Sequence, residues 1–236
     1  MPSDSDRTNA PQISGSILPN LSDILVAFSI LTPVSQRSVA IGAPAFGRAA
    51  PLFPVVGAAL GTTLAAMAWM ISGWLPTPLA ALALAVLWEI CTYGQLRRAA
   101  QITSITAAAV LVGRVVGIWL LDQQSLALCF APLLGSWAIV VMAVGTRDAS
   151  SPSRKLAPAV LFNEFALASL LTLAAVFSIA DGLGILLGVV AATLTVGLRL
   201  LLHRAIGGVS LAWLVHTAML IELATVWIFV ALQRFV

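Results

Sequence analysis

Long apolar runs, separated by short polar breaks, dominate the chain. They fall at residues 51–74, 78–93, 102–121, 126–144, 159–180, 182–201 and 209–230. A helix needs about 17–25 apolar residues to cross a hydrocarbon core about 30 Å thick. Only the second run, at 16 residues, falls short of that range. Lipid offers the backbone no hydrogen-bond partner, so each run must pair its own amides and is predicted to be a helix. Polar alternation at period two, which a barrel would show, is absent. The expected fold class is therefore all-α, a polytopic membrane bundle of about seven transmembrane helices.

Two stretches precede these runs. Residues 1–20 are polar and carry Pro, Ser and Asn, the composition of a disordered cytoplasmic tail. They lack the basic start, apolar core and small-residue site of a signal peptide. Leu21–Leu31 is apolar but has only 11 residues and is closed by Pro33. It either lies in the interface or re-enters the bilayer. Residues 21–236 are thus expected to form one transmembrane domain, with a short interfacial or re-entrant segment at 21–33.

Charge in the loops orients the bundle. Arg37 and Arg48 precede the first run, and Arg97 and Arg98 follow the second. Arg147, Arg154 and Lys155 follow the fourth, and Arg204 follows the sixth. The alternate breaks, at 73–77, 122–125 and a tight turn at Asp181, hold no Lys or Arg. Positive residues mark the cytoplasmic side, which predicts a cytoplasmic N-terminus and an outside C-terminus, with Arg234 alone on the other side. Composition agrees: 60% of residues are hydrophobic and 9% charged, too few charges to cover a water-facing surface. The 12 Lys and Arg are scattered singly, without a basic stripe, so nucleic acid is not an expected partner. The lipid bilayer is, together with a membrane-protein partner or a second copy of the chain. Cys91 and Cys129 lie inside apolar runs without a CxxC spacing and read as inert thiols.

An ionisable side chain in hydrocarbon is costly, so each one inside a run is a candidate for a role. These are Glu89, Arg114, Glu164, Arg199, His216 and Glu222. Glu89, Glu164 and Arg199 lie near run ends, where a side chain can reach the interface. Arg114 and Glu222 lie deeper, and either pair with each other or leave Glu222 to His216. Gly57, Gly61 and Ala65 place small residues at four-residue spacing, a pattern of helix contacts in membranes. Phosphate-cradling GxxxxGK[ST], HExxH and GxSxG motifs are absent, and no metal site is read from spacing alone.

Three segments resemble the cobalamin synthase family, membrane enzymes that join an activated corrinoid to its lower-ligand nucleoside (adenosylcobinamide-GDP ribazoletransferases). FSILTPV at 28–34 is similar to the family's FxTRxPV opening, with Ile30 and Leu31 at the usual Thr and Arg. RAAPLFPVVGAALG, from Arg48 through Phe53, Pro54 and Gly57 to Gly61, resembles R-x4-FPLVGxxxG. RAIGG, with Arg204, Gly207 and Gly208, resembles the opening of the family's last motif, and PLAAL at 78–82 fits its second helix.

The resemblance implies a magnesium-dependent transferase of the bacterial cytoplasmic (inner) membrane. It also implies a GGxHLDGLADTxDG segment, whose carboxylates hold the cation against a pyrophosphate. This chain departs there. Counting from Pro78, the family's second glycine falls at Gly94, but its His falls at Leu96 and its first Asp at Arg98. A block of the loop is missing, and an Arg in place of a ligand Asp repels a cation. In the last motif Ser210 stands for a Thr and Ala212 for the Asp, while Glu222 meets the later Glu only with an inserted turn. The expectation is a family-like protein without transferase activity, a degenerate homologue or accessory membrane subunit, needing no cofactor. An active transferase would keep the magnesium. From another class, a small transporter or structural subunit remains as an alternative.

Overall fold

The computed structural model describes residues 20–32, 43–92, 104–121, 124–145, 160–206 and 211–233. The expected N-terminal tail, Gly94, Gly207 and Gly208 lie outside them, as do the loop cations Arg37, Arg97, Arg98, Arg147, Arg154 and Lys155. The described residues are almost wholly helical. In chain order the helices are α1 (Leu21–Leu31), α2 (Ala43–Ala49), α3 (Phe53–Ser72), α4 (Thr77–Cys91), α5 (Ser104–Leu120), α6 (Gln124–Ala143), α7 (Phe162–Ile206) and α8 (Leu211–Leu232). A single 3-10 turn, Ala50–Leu52, joins α2 to α3.

Two prolines sit where a helix tolerates them, whereas Pro132 lies inside α6. Pro54 and Pro78 each occupy the first turn of their helix, where the missing N–H has no intrahelical acceptor to lose. The first span therefore starts earlier than its apolar run. Helical backbone carries it from Ala45 to Ser72, and it is one of five helices long and apolar enough to cross a membrane. The others are Leu126–Ala143, Phe162–Ile179, Gly184–Ala205 and Trp213–Leu232. With 15 and 17 residues, α4 and α5 are shorter, about 23 and 26 Å at 1.5 Å per residue.

The expected break at Asp181 takes an unexpected form. Helical backbone runs unbroken from Phe162 to Ile206 over 45 residues, so no open turn separates the fifth and sixth runs. Yet α7 is not a straight rod. Trp137 of α6 donates its indole N–H to Ser169 Oγ at 3.1 Å, and Arg199 Nη1 donates to the carbonyl of Val141 at 2.8 Å. A straight helix would hold residues 169 and 199 about 45 Å apart, whereas 137 and 141 are about 6 Å apart along α6. Gly184 packs against Val176, so close that a Cβ there would come within 2.6 Å of the Val176 carbonyl. The helix doubles back between these residues, and its two arms lie side by side.

α6 is the centre of the bundle. Its span is 89% buried by protein, against 17% and 22% for the arms of α7, which leave their Leu, Ile and Phe side chains facing outward. α6 packs most extensively on α3, then on α8 and α7. The α3 contact runs through Gly57, beside Ser136 and Pro132, and Gly61, against the Cys129 backbone. Without side chains, these two glycines let the antiparallel helices approach closely. Besides a small apolar core of Ala107, Val110 and Met219 between α5 and α8, the bundle has two large ones. One joins the start of α3 to α1, α2, the end of α6 and the start of α8; the other joins the end of α3 to α4, the start of α6 and the end of α8.

α1 lies against α2 and the start of α3. One face, with Val26, Ala27, Ile30 and Leu31, is buried, and Leu21 and Leu25 face outward.

Candidate functional site: a buried ion cluster

Three helices bring charge to the middle of the bundle. Glycines position two of them. Gly113 and Gly117 of α5 face Leu223, Val226 and Trp227 of α8, so these backbones approach closely. Between the two glycines in sequence stands Arg114, which is 0% exposed. Its Nη2 donates to Glu222 Oε2 of α8. Gly135 of α6 leaves room for the Glu222 side chain, since a Cβ there would lie 2.5 Å from Glu222 Cγ. From α4, Glu89 brings Oε2 to 3.7 Å from Arg114 Nη1, an ion pair without hydrogen-bond contact. The neighbouring Trp88 lies under the guanidinium, with Cζ 4.6 Å from the ring centroid. Burial removes water from this contact and strengthens the attraction between cation and ring.

The cluster thus sets one guanidinium between two carboxyls. A buried cation needs such partners, because an isolated charge is strongly destabilised in a medium of low dielectric. Of the two pairings left open by sequence, the structure contains Arg114 with Glu222. His216 is also buried in α8, with its ring 5.6 Å from Trp213.

The remaining ionisable candidates serve helix ends. Glu164 Oε2 accepts the Leu161 N–H at 2.8 Å, which occupies a donor at the start of α7. Arg199 donates to the carbonyls of Val141 and Val144 at the end of α6, where a cation also complements the helix dipole. Arg199 therefore reaches inward to a neighbouring helix. Sequence alone suggested that it reached outward to the interface.

One buried acid was missed altogether. Asp23 of α1 is 1% exposed. Its Oδ2 accepts the Asn20 N–H at 2.9 Å, and its Oδ1 lies 3.3 Å from Arg48 Nε. The available signal was Asn20 followed three residues later by an acid at a helix start, the spacing of a capping box.

Magnesium favours an octahedral shell of oxygen ligands. Among the described residues, no group of three or more His, Cys, Asp or Glu could hold a metal ion. Glu89 and Glu222 converge on Arg114, and positions 94–98, where the resemblance places its metal-binding segment, lie outside the described residues.

The fold and this cluster define a class, a helical protein of membrane type with ionic groups paired in its interior. Residues 23–95 match the family model of cobalamin-5-phosphate synthase. The match includes Arg48, Phe53, Pro54, Gly57, Gly61 and Gly94, and it stops short of Arg204, Gly207 and Gly208. It covers less than a third of the chain and bears out the suspected resemblance over that part. No curated protein and no solved structure matches the chain.

Proposed function

We propose that this chain is a cobalamin synthase-like protein of the bacterial inner membrane that no longer carries out the transfer. One observation carries the reading. The family match ends at residue 95, just before Leu96 and Arg98 stand where the resemblance places a His and an Asp. The ion cluster supports it, because its carboxyls face a fixed guanidinium. On this reading the protein serves as an accessory subunit, meeting a membrane-protein partner or a second copy of itself.

The reading includes seven spans with a cytoplasmic N-terminus, α4 and α5 joining the five longer helices. Reporter fusions at the successive loops test this topology, and two adjacent loops reporting the same side would refute it. The activity test supplies purified protein with adenosylcobinamide-GDP, α-ribazole phosphate and magnesium, beside an authentic synthase. No product from a folded sample is expected. Product above background, abolished by Glu89→Gln or Glu222→Gln, would overturn the lost-activity reading and identify the carboxyls that sustain it.

A further inference from the structure

The bundle is polarised along its axis. Arg48, Arg199 and Arg204 all belong to the α1 end, and Arg114 is the one further Lys or Arg among the described residues. At the opposite end three tryptophans stand outward: Trp69 at 79% exposure, Trp74 at 87% and Trp119 at 51%. Trp69 is in the last turn of α3, Trp74 in the turn that follows, and Trp119 in the last turn of α5. Gln233 Nε2 donates to the Leu120 carbonyl at 2.5 Å, which sets the end of α8 level with the end of α5. The other four tryptophans differ. Trp88 is fully buried under Arg114, Trp137 is bonded to Ser169, Trp213 lies against His216, and Trp227, though 39% exposed, borders Gly113 and Gly117 below the end of α5.

An exposed indole combines a broad apolar ring with one N–H donor. That pairing suits the glycerol and carbonyl layer of a phospholipid leaflet, where the ring meets acyl chain and the N–H meets an ester oxygen. The spacing fits as well. The 20 residues of α3 separate the Arg48 end from the Trp74 end by about 30 Å, the thickness of the hydrocarbon core. We infer that Trp69, Trp74 and Trp119 form a phospholipid-contacting belt that fixes one membrane boundary of this protein. Arg114 precedes Trp119 by five residues and Glu222 precedes Gln233 by eleven, which places the backbone of the ion cluster about 8 to 16 Å inside that boundary, within hydrocarbon. This placement is independent of the transferase reading.

The test uses the full chain in nanodiscs whose phosphatidylcholine is spin-labelled either near the glycerol or near the acyl terminus, with iodide as an aqueous quencher. The shallow label is expected to quench the tryptophan emission most. In the variant carrying Trp69→Phe, Trp74→Phe and Trp119→Phe, most of that shallow quenching is expected to disappear. The three single variants guard against misfolding of the triple one, and each should lose part of the effect. Stronger quenching by iodide would put these residues in water, and stronger quenching by the deep label would put them in the core. Shallow quenching unchanged in the variants would mean that a protein surface covers them. Each of these outcomes overturns the belt.

Discussion

Removing the guanidinium of Arg114 should cost more than removing either carboxyl charge, and the order follows from charge counting. The cluster carries one cation and two carboxyls, a formal charge of −1. Glu222→Gln leaves Arg114 facing Glu89, a neutral set, and the amide oxygen can still accept from Nη2. Its expected cost is about 1–2 kcal/mol, toward the lower end for hydrogen bonds to charged groups. Arg114→Met leaves two carboxyls without their cation and removes the partner of Trp88. Breaking a buried pair from one side costs about 3–5 kcal/mol. Glu89→Gln should cost less than about 1 kcal/mol, because a contact at 3.7 Å with a 23% exposed side chain is partly screened. The assay is reversible unfolding in mixed micelles of mild detergent and dodecyl sulfate, followed by circular dichroism. Adding the Glu222→Met single variant and the Arg114→Met, Glu222→Met double variant closes a thermodynamic cycle. Interhelical polar contacts in membranes average about 0.6 kcal/mol, and this pair should couple by about 2 kcal/mol or more, given its burial. Coupling below the average, or a Glu89→Gln cost above that of Glu222→Gln, would refute the arrangement.

Four further substitutions, at three positions, probe packing and capping. Gly61→Leu should destabilise the bundle by about 1–3 kcal/mol, as overpacking does, because its Cβ meets the Cys129 backbone, which cannot yield as a side chain end can. Gly188→Ala, with nothing within 4 Å of the new Cβ, should stay within about 0.5 kcal/mol of the parent; equal effects at both sites would exclude the α3–α6 contact. Arg199→Gln should cost about 1.5–3 kcal/mol in the same unfolding assay, since two carbonyls at the end of α6 lose a charged donor. Arg199→Lys should recover only part, because a point charge cannot reach both carbonyls as a planar fork does.

Much of this fold was legible because lipid simplifies the code. Every apolar run predicted to be a helix is helical over most of its described residues, the fifth and sixth sharing α7, and Gly57 and Gly61 lie where small residues let helices touch. Two features were obscured by the same simplicity. The arms of α7 join without a backbone break, so a turn expected as a loop is instead a fold-back that only tertiary contacts reveal. The short apolar stretch at Leu21–Leu31 gave no reason to look for a buried acid, although Asn20 and Asp23 carry a capping pattern whose partner Arg48 lies 25 residues away. The mid-bundle site was half legible. Arg114 and Glu222 stood out as deep charges, but 108 residues separate them, and no periodicity within one helix could join them. Gly113, Gly117 and Gly135 were the local signal for that approach. An α-helix contact is easier to read from glycine spacing when the partner is known.

Chemistry on a GDP-activated corrinoid needs acidic groups that water, phosphate and a cation can all reach. Four of the described acids are committed elsewhere. Asp23 and Glu164 accept N–H groups at the starts of α1 and α7, while Glu89 and Glu222 share Arg114 inside the bundle. Using either pair as a metal site would leave a helix start unsatisfied or a guanidinium unpaired in hydrocarbon, each at a cost of kilocalories. Asp148 is the further acid that sequence places in an expected cytoplasmic loop between spans, with Asp4 and Asp6 in the expected tail, and a lone carboxylate is a poor magnesium site. A transfer reaction would therefore compete directly with the contacts that hold α1, α4, α5 and α8 in place. That competition is the physical ground for the proposal that this chain no longer carries out the transfer.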